Sequence, residues 1–182
     1  MFDIRKIQEQ VIFGAVNAVS NDETAAKIVY GVNGQASSED NAAWVNATMS
    51  RLENRFDRAE VKQIRMSCQC GYGMDDKFAL LKELVDSSSN LEEFASHDKA
   101  KAAGLYVSNG ELYLQFMFCP CPMLAEVEKL ESAAWCHCTI GYSKVLFEKA
   151  FGCEVDVELL KSIKMGDSIC LQKIIPHDSI WK

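Results

Sequence analysis

The sequence predicts an α+β fold, in which a helical layer packs on a four-stranded, mainly antiparallel sheet. Apolar residues recur at helical spacing along residues 1–103, whereas residues 104–182 contain runs in which every second residue is apolar. Asn109-Gly110 separates the first two of these runs, and this residue pair is typical of tight β-hairpins. Since the chain has 182 residues and no low-complexity linker, we expect a single domain over residues 1–182, with a mainly helical part (1–103) and a sheet-containing part (104–182).

The helical part is expected to contain five helices. A residue whose side chain can cap a helix N-terminus stands at the start of each of these helices: Asp3, Asn21, Ser38, Asp75 and Asn90. Glycine ends two of them, at Gly31 and Gly104. The last helix is expected to run without a break from residue 90 to residue 103.

The sheet-containing part is expected to contain four strands and one helix. The hairpin strands are predicted at 105–107 and 112–118, and the second runs into Cys119-Pro120-Cys121-Pro122, where proline ends strand pairing. A helix is predicted at 139–151, followed by strands at 154–159 and 168–175 that are joined through Met165-Gly166-Asp167.

Composition and charge exclude several classes of protein. The formal net charge is −7 and the basic residues are scattered, so no nucleic acid partner is expected. The first residues lack the pattern of a signal peptide, and the longest uncharged stretch, 112–125, is too short to cross a bilayer. We therefore expect a cytoplasmic protein without a membrane partner. We expect it to bind a small-molecule ligand, and a homodimer is the assembly to test.

Six of the eight cysteines form three C-x-C pairs. A reducing cytoplasm favours thiols over disulfides. If each pair is extended, both of its side chains project to the same side and can share one centre. Two of the pairs directly precede predicted helices, where the helix dipole is expected to favour thiolate over thiol. The pairs are Cys68/Cys70, Cys119/Cys121 and Cys136/Cys138.

The cysteine pairs support two kinds of chemistry. Four thiolates can bind zinc in a tetrahedral site or hold an iron–sulfur cluster. Alternatively, a single cysteine of low pKa acts as a nucleophile. We expect His137 to point away from a centre shared by its two neighbours. Aromatic residues beside the cysteines are candidates for the wall of a ligand pocket: Trp135, Tyr72 and Tyr142. Cys153 and Cys170 are expected to be buried as small apolar residues.

The last third of the sequence resembles a known family. The segments that carry the resemblance are the Cys-Pro segment at 119–122, Trp135-Cys136-His137-Cys138 and Gly166-Asp167-Ser168-Ile169-Cys170. Over roughly residues 112–175 they are similar to the 4-vinyl reductase and L-2-amino-thiazoline-4-carboxylic acid hydrolase-like group. The resemblance implies an α+β fold related to heme-NO-binding domains and to subunits of the TRAPP tethering complex.

The resemblance also implies that cysteines line a small-molecule pocket as metal ligands or as a hydrolytic nucleophile. Our first hypothesis is a small-molecule-binding or sensing domain with a zinc or iron–sulfur site built from the six paired cysteines. The alternative is a hydrolase that opens a cyclic C–N bond in a small amidine or thiazoline, with Cys119 or Cys121 as the attacking group. A third hypothesis is an interaction domain of the TRAPP-subunit type.

Overall fold

The computed structural model describes residues 3–181, without the side chains of Gln35, Ser37 and Ser38. Over these residues the chain forms eight α-helices and one four-stranded antiparallel sheet, which confirms the α+β class. The chain divides into two compact units that interleave in sequence. The first contains the chain up to Cys70, together with Cys119–Gly141 and Lys164–Gly166. The second contains Gly71–Phe118, Tyr142–Ile163 and the chain from Asp167 onward.

The first unit begins with four helices: α1 (Ile4–Val19), α2 (Asp22–Tyr30), α3 (Asn41–Arg55) and α4 (Arg58–Met66). The predicted caps of α1 and α2 are confirmed, because Asp3 accepts a hydrogen bond from the Lys6 amide and Asn21 from the Thr24 amide. The cap predicted for α3 is wrong. Val32–Ser38 forms a 3-10 helix, and Asp40 caps α3 by accepting from the Ala43 amide.

Helix α4 is not among the helices expected from the sequence, because polar and charged residues outnumber the apolar ones in this short segment. Its start is defined locally by a capping box, in which the Glu60 amide donates to the Asp57 carboxylate and the Asp57 amide donates to the Glu60 carboxylate. Val61, Ile64 and Arg65 are buried on its inner face. The helix therefore brings a cationic side chain into the core of the first unit.

The core of the first unit is built around two tryptophans. Trp44 is fully buried and its indole N–H donates to the Val29 carbonyl at 2.9 Å. Its ring meets the ring of Trp135 edge-on, with centroids 5.8 Å apart. Trp135 lies in the 3-10 helix Ala133–Cys136, and a second 3-10 helix, Pro122–Leu124, buries Met123 and Leu124. These short helices carry or directly follow several of the paired cysteines.

The second unit contains three helices and the sheet. The helices are α5 (Met74–Asp86), α6 (Leu91–Ser96) and α7 (Asp98–Ala102), and the strands are β1 (Leu105–Ser108), β2 (Glu111–Phe116), β3 (Val155–Lys161) and β4 (Cys170–Pro176). The continuous helix predicted for 90–103 is wrong, because His97 leaves the helical conformation between α6 and α7 (ψ 140°). Helix α8 (His137–Phe151) contributes its beginning to the first unit and its remainder to the second.

The strands run in the order β1-β2-β4-β3, and all three pairings are antiparallel. The predicted hairpin is confirmed: Asn109 and Gly110 both have positive φ, at 53° and 76°. Gly104 must remain a glycine for the chain to enter β1, since a Cβ there would lie 2.0 Å from the Gln115 carbonyl oxygen. The phenyl rings of Phe94 and Phe151 pack edge-on beside the sheet in the same unit, 5.7 Å apart. Over residues 3–181, no helix combines the length and apolar character that a membrane crossing requires.

Candidate functional site

All six paired cysteines belong to the first unit. Cys68 follows the C-terminus of α4, and its amide donates to the Arg65 carbonyl at 3.1 Å. Its thiol is fully buried and donates to the Ile64 carbonyl at 3.1 Å. Cys70, Cys119 and Cys121 are half-buried, whereas Cys136 and Cys138 are buried. The folded unit therefore collects three chain segments that are far apart in sequence.

Cys138 is held directly against the segment that contains Cys68. Its Sγ donates to the Cys68 carbonyl oxygen at 2.9 Å. The backbones are also in close contact, because a Cβ at Gly141 would lie 1.9 Å from the Met66 carbonyl oxygen. The first turns of α8 and the end of α4 thus touch without an intervening side chain, and this contact places Cys138 beside the first cysteine pair.

The Cys138 thiol interacts electrostatically with members of the other two pairs. Its pKa is raised to about 12, mainly by burial; Arg65 lowers the pKa, while Cys121, Cys68 and Cys70 contribute to the increase. Burial likewise raises the pKa of the Cys68 and Cys121 thiols, and Cys119 adds to the effect on Cys121. The helix dipole therefore does not produce a thiolate at either position. Cys138 lies in the first turn of α8, but desolvation of the charged form outweighs the dipole there, and Cys68 follows the C-terminus of α4, where the dipole disfavours negative charge.

The assumption of an extended pair is also wrong for Cys136/Cys138. Cys136 ends the 3-10 helix Ala133–Cys136, and Cys138 is the second residue of α8. In a helix each residue turns about 100° from the last, so residues two apart point to nearly opposite sides. Cys121, in contrast, has an extended backbone (φ −79°, ψ 115°). The prediction that both side chains project to one side therefore does not hold for this pair, and the contacts given above place Cys138 at the shared location.

Arg65 lies at the centre of this cluster and is fully buried. One guanidinium nitrogen, Nη2, donates to the Trp135 carbonyl at 3.1 Å, and the guanidinium carbon lies 4.3 Å from the centroid of the Trp135 ring. The other two nitrogens, Nε and Nη1, have no acceptor in hydrogen-bond geometry within residues 3–181. A looser contact between the guanidinium and the Cys68 thiol still lowers the pKa of that thiol. Arg65 is close enough to Cys68 and Cys138 to lower the pKa of both thiols.

Sequence analysis does not identify Arg65, although a signal is present. Val61, Arg65 and Cys68 are spaced four and three residues apart, so they share one face of α4 and the turn that follows it. A charged residue in the middle of a buried face is unusual and is normally paired. The spacing could therefore have indicated a buried arginine beside a cysteine.

Two further nitrogens near Arg65 lack hydrogen-bond partners among the described residues: Trp135 Nε1 and His137 Nδ1. The indole N–H of Trp135 faces the Cys121 thiol and lowers its pKa, although its position does not meet the geometry of a hydrogen bond. The pKa of His137 is lowered first by burial and then by three cations of α4, while Glu53 opposes them. Those cations are Lys62, Arg65 and Arg58. The cluster is therefore rich in unsatisfied nitrogens and positive charge.

In residues 3–181, no three His, Cys, Asp or Glu side chains stand close enough together to hold a metal ion as they are placed. Four of the six cysteines lie outside the helices and strands, so their sulfur positions depend on local backbone and side-chain rotations: Cys68, Cys70, Cys119 and Cys121. Thiolates are the ligands that zinc and iron–sulfur clusters prefer. The donor chemistry suits such a centre, and binding would require the sulfurs to move together.

The two other aromatic residues predicted to line a pocket belong to the second unit. The Tyr142 hydroxyl donates to the Tyr72 carbonyl at 2.9 Å, and the Lys77 ammonium lies 4.8 Å from the centroid of the Tyr142 ring. Tyr72 and Tyr142 are thus in contact with each other, whereas Trp135 contacts Arg65. Their role as pocket residues stays a prediction.

The Gly-Asp-x-x-Cys segment, part of the family resemblance, has a local structural role in the second unit. The Asp167 carboxylate accepts from the Ser162 amide at 2.8 Å, and the Asp167 amide donates to the Ser162 carbonyl at 3.1 Å. The Ile163 amide donates to Cys170 Sγ at 3.4 Å. Cys170 is buried, as expected, whereas Cys153 is half-buried. Asp167 and Cys170 therefore close the connection between β3 and β4.

Comparison with known proteins gives a family but no described relative. No curated protein and no solved structure matches the chain. The chain does match a family described as a family of unknown function, DUF6144, over residues 1–181. Because this match spans nearly the whole sequence, the chain belongs to the DUF6144 family.

Proposed function

We propose that the first unit binds a metal through cysteine thiolates, as zinc or an iron–sulfur cluster, and that the protein is a cytoplasmic domain that binds or senses a small molecule. The ligands would be drawn from the six paired cysteines. The observation that carries the proposal is the convergence of the three pairs: the Cys138 thiol donates to the Cys68 carbonyl at 2.9 Å and interacts electrostatically with Cys68, Cys70 and Cys121. Such convergence of distant segments is expected of a site and is not needed to fill a core.

The charge around the cysteines supports the same proposal. Zinc or an iron–sulfur cluster bound by four thiolates carries a net negative charge. Arg65 is fully buried with two nitrogens that lack acceptors among the described residues, and Trp135 Nε1 also faces a thiol. A buried cation is costly without a compensating negative charge. The thiols supply that charge only when a metal replaces their protons, since burial raises the pKa values of the free thiols.

The hydrolase hypothesis has less support from the geometry. A nucleophilic cysteine needs a depressed pKa or an adjacent base. Burial raises the pKa of the Cys121 thiol, which is one of the two predicted nucleophiles. The resemblance to the 4-vinyl reductase group and the interaction-domain hypothesis stay predictions.

The proposal is tested by elemental analysis and an absorbance spectrum of untagged protein purified without oxygen. We expect about one zinc per chain, or iron with a visible charge-transfer band. Cys138→Ser and Cys121→Ser should lower the metal content, whereas Cys153→Ser, in the second unit, should leave it unchanged. A well-folded, metal-free protein that takes up neither zinc nor iron when reduced would refute the metal site. Single-cysteine reactivity mapping from Cys119 and Cys121 would then test the hydrolase hypothesis.

A further inference from the structure

Arg65 is a buried cation whose charge the described part of the chain does not balance. It is fully buried, and no carboxylate within residues 3–181 forms an ion pair with it. Among the described residues, its hydrogen bond of full geometry is to the neutral Trp135 carbonyl. Neither its contact with the Trp135 ring nor its looser contact with the Cys68 thiol supplies a formal charge. The N–H groups of Nε and Nη1 are therefore available to donate to a bound group.

The neighbouring groups make this imbalance larger. Lys62 and Arg58 lie on the same helix, and together with Arg65 they lower the pKa of His137 more than Glu53 raises it. Cys68 and Cys138 are beside the guanidinium, but both thiols keep their protons, because Cys68 Sγ donates to the Ile64 carbonyl and Cys138 Sγ donates to the Cys68 carbonyl. In the absence of a bound group, Arg65 therefore lies next to sulfur atoms that do not carry the negative charge it requires.

We propose that Arg65 is the positioning residue of an anionic metal–thiolate centre, and that its free Nε and Nη1 groups donate to the cysteine sulfurs once these carry negative charge. This inference rests on the proposed metal site and assigns a net negative charge to that site. Two thiolates on a divalent ion give a neutral centre, whereas three or four give a negative one. Arg65 therefore requires at least three cysteine ligands. Each ligand thiol releases its proton to solvent as its sulfur binds the metal, and with zinc no electron is transferred.

The proposal predicts that Arg65 has opposite effects on the stability of the metal-free form and of the metal-loaded form. Removing an uncompensated buried charge is neutral or stabilising, whereas removing one partner of a compensated pair is destabilising. Arg65→Met keeps an apolar chain of similar length in place of the cation. A purely structural arginine would instead contribute equally to the stability of both forms, so the contrast separates the two roles.

The experiment compares the wild type, Arg65→Met, Arg65→Lys and the matched control Lys62→Met. Lys62 is a cation on the same helix but is exposed, so salt screens its charge. Zinc affinity is measured by competition with a chromophoric chelator, and urea unfolding is followed with and without zinc. We expect Arg65→Met to weaken zinc binding roughly 10- to 100-fold, as loss of outer-shell partners does. Lys62→Met should change it less than about threefold, and Arg65→Lys should recover part of the loss because it restores the charge.

The result in the metal-free form completes the test. Arg65→Met should be at least as resistant to urea as the wild type without zinc, and less resistant with zinc. If the wild type and Arg65→Met bind zinc equally well, the Arg65 proposal is overturned and the metal site stands. If the wild type binds neither zinc nor iron, both proposals fail.

A measurement on the wild type alone remains decisive if Arg65→Met does not fold. The protons released on zinc binding, counted in weakly buffered solution at neutral pH, report the number of thiols that become ligands. Three or four protons per zinc would support an anionic centre. Two protons or fewer would mean a centre without negative charge and would overturn the role of Arg65.

Discussion

Two opposing effects act on the thiol of Cys138. The first turn of α8 and the Arg65 guanidinium favour a negative charge on sulfur, and burial opposes it. Burial prevails and raises the pKa to about 12. The same thiol donates to the Cys68 carbonyl at 2.9 Å, a bond that only the protonated form can make. Without a metal, Cys138 is therefore a neutral, hydrogen-bonded group, and not a reactive nucleophile.

This balance gives the metal-free protein a defined dependence on pH. In the unfolded chain the Cys138 thiol loses its proton near pH 9, its ordinary value, while in the folded chain it keeps the proton up to about pH 12. The folded state thus binds more protons in this window, and the stability contributed by Cys138 is fully present below pH 9 and is lost as the pH rises toward 12. Urea unfolding of reduced, chelator-treated protein between pH 8 and 10.5 should show a decreasing free energy of unfolding.

The matched variant for this prediction is Cys138→Ala, which removes the ionisable group. Its free energy of unfolding should fall less steeply over the same pH range than that of the wild type. Equal slopes for the two proteins would show that Cys138 does not carry the raised pKa.

Among the elements, the contact between α4 and α8 is decisive for the site. Gly141 allows α8 to approach so closely that a Cβ would lie 1.9 Å from the Met66 carbonyl oxygen and 2.6 Å from its carbon. Neither is the flexible end of a side chain, so the backbone itself would have to shift. This approach places Cys138 against Cys68, which means that a glycine three residues away controls the spacing of the sulfurs.

We therefore expect Gly141→Ala to destabilise the protein by about 3 kcal/mol, the size of a severe overpacking effect. The control is Gly14→Ala in α1, where nothing lies within 4 Å of the added methyl group. That change should stabilise the protein by about 0.5–1 kcal/mol, because alanine is the better helix former. Urea unfolding of both variants measures the two effects, and similar free energies of unfolding for the two variants would contradict the close approach of α8 to α4.

In the second unit, β3 and the residue after β4 are joined by a titrating pair. His177 Nε2 lies 2.8 Å from the Asp156 carboxylate, and the backbone amide of His177 donates to the Glu154 carbonyl. The hydrogen bond with Asp156 raises the pKa of His177 above its ordinary value of 6.5; the charges of Asp156 and Glu154 act in the same direction, and burial and Lys144 oppose it. The stability gained from the pair is fully present below pH 6.5 and is lost as the pH rises through the folded pKa.

The pair is tested by NMR titration of the His177 ring. The wild type should titrate above pH 6.5, and Asp156→Asn should bring the midpoint back toward 6.5. Glu158→Gln, which removes another exposed carboxylate of β3, should leave the midpoint nearly unchanged. A wild-type midpoint at or below 6.5 would show that the pair does not form in solution.

At the scale of the whole molecule, the proposed chemistry is confined to one of the two units. All six paired cysteines, Arg65 and Trp135 belong to the first unit, and the sheet belongs to the second. Metal binding to a site formed by the fold contributes directly to the folding free energy. Removal of the metal should therefore destabilise the unit that supplies the ligands more than the other unit.

Hydrogen exchange with and without a chelator tests this expectation. Metal removal should reduce the protection of α4 and of the first turns of α8, while the amides of β2 and β4 change much less. The zinc-loaded and chelator-treated forms of the Cys153→Ser variant should show the same pattern, since Cys153 is not among the proposed ligands. An equal loss of protection in the sheet would contradict a metal site confined to the first unit.

Features that depend on neighbouring residues could be predicted from the sequence. Asp3 and Asn21 cap their helices, and Asn109-Gly110 forms the hairpin turn, because each acts through backbone groups within a few residues. Errors occur where local signals compete. Ser38 and Asp40 can both cap a helix N-terminus, and Asp40 is the residue that caps α3. In the segment 90–103, residues that favour helix lie on both sides of His97, so the break there is not evident from the sequence. The α+β class follows from the change of periodicity, which is also a local property.

The sequence by itself determined that this chain has an α+β fold, most of its helix and strand positions and the existence of three cysteine pairs. Only the tertiary structure decided which sulfurs meet, that Cys136/Cys138 is helical and not extended, and that Arg65 is buried beside the thiols. The physical reason is the range of the forces involved. Capping and turn formation act over a few residues, whereas desolvation and charge compensation depend on what surrounds a group in space, and at Cys138 those surroundings come from residues about seventy positions away.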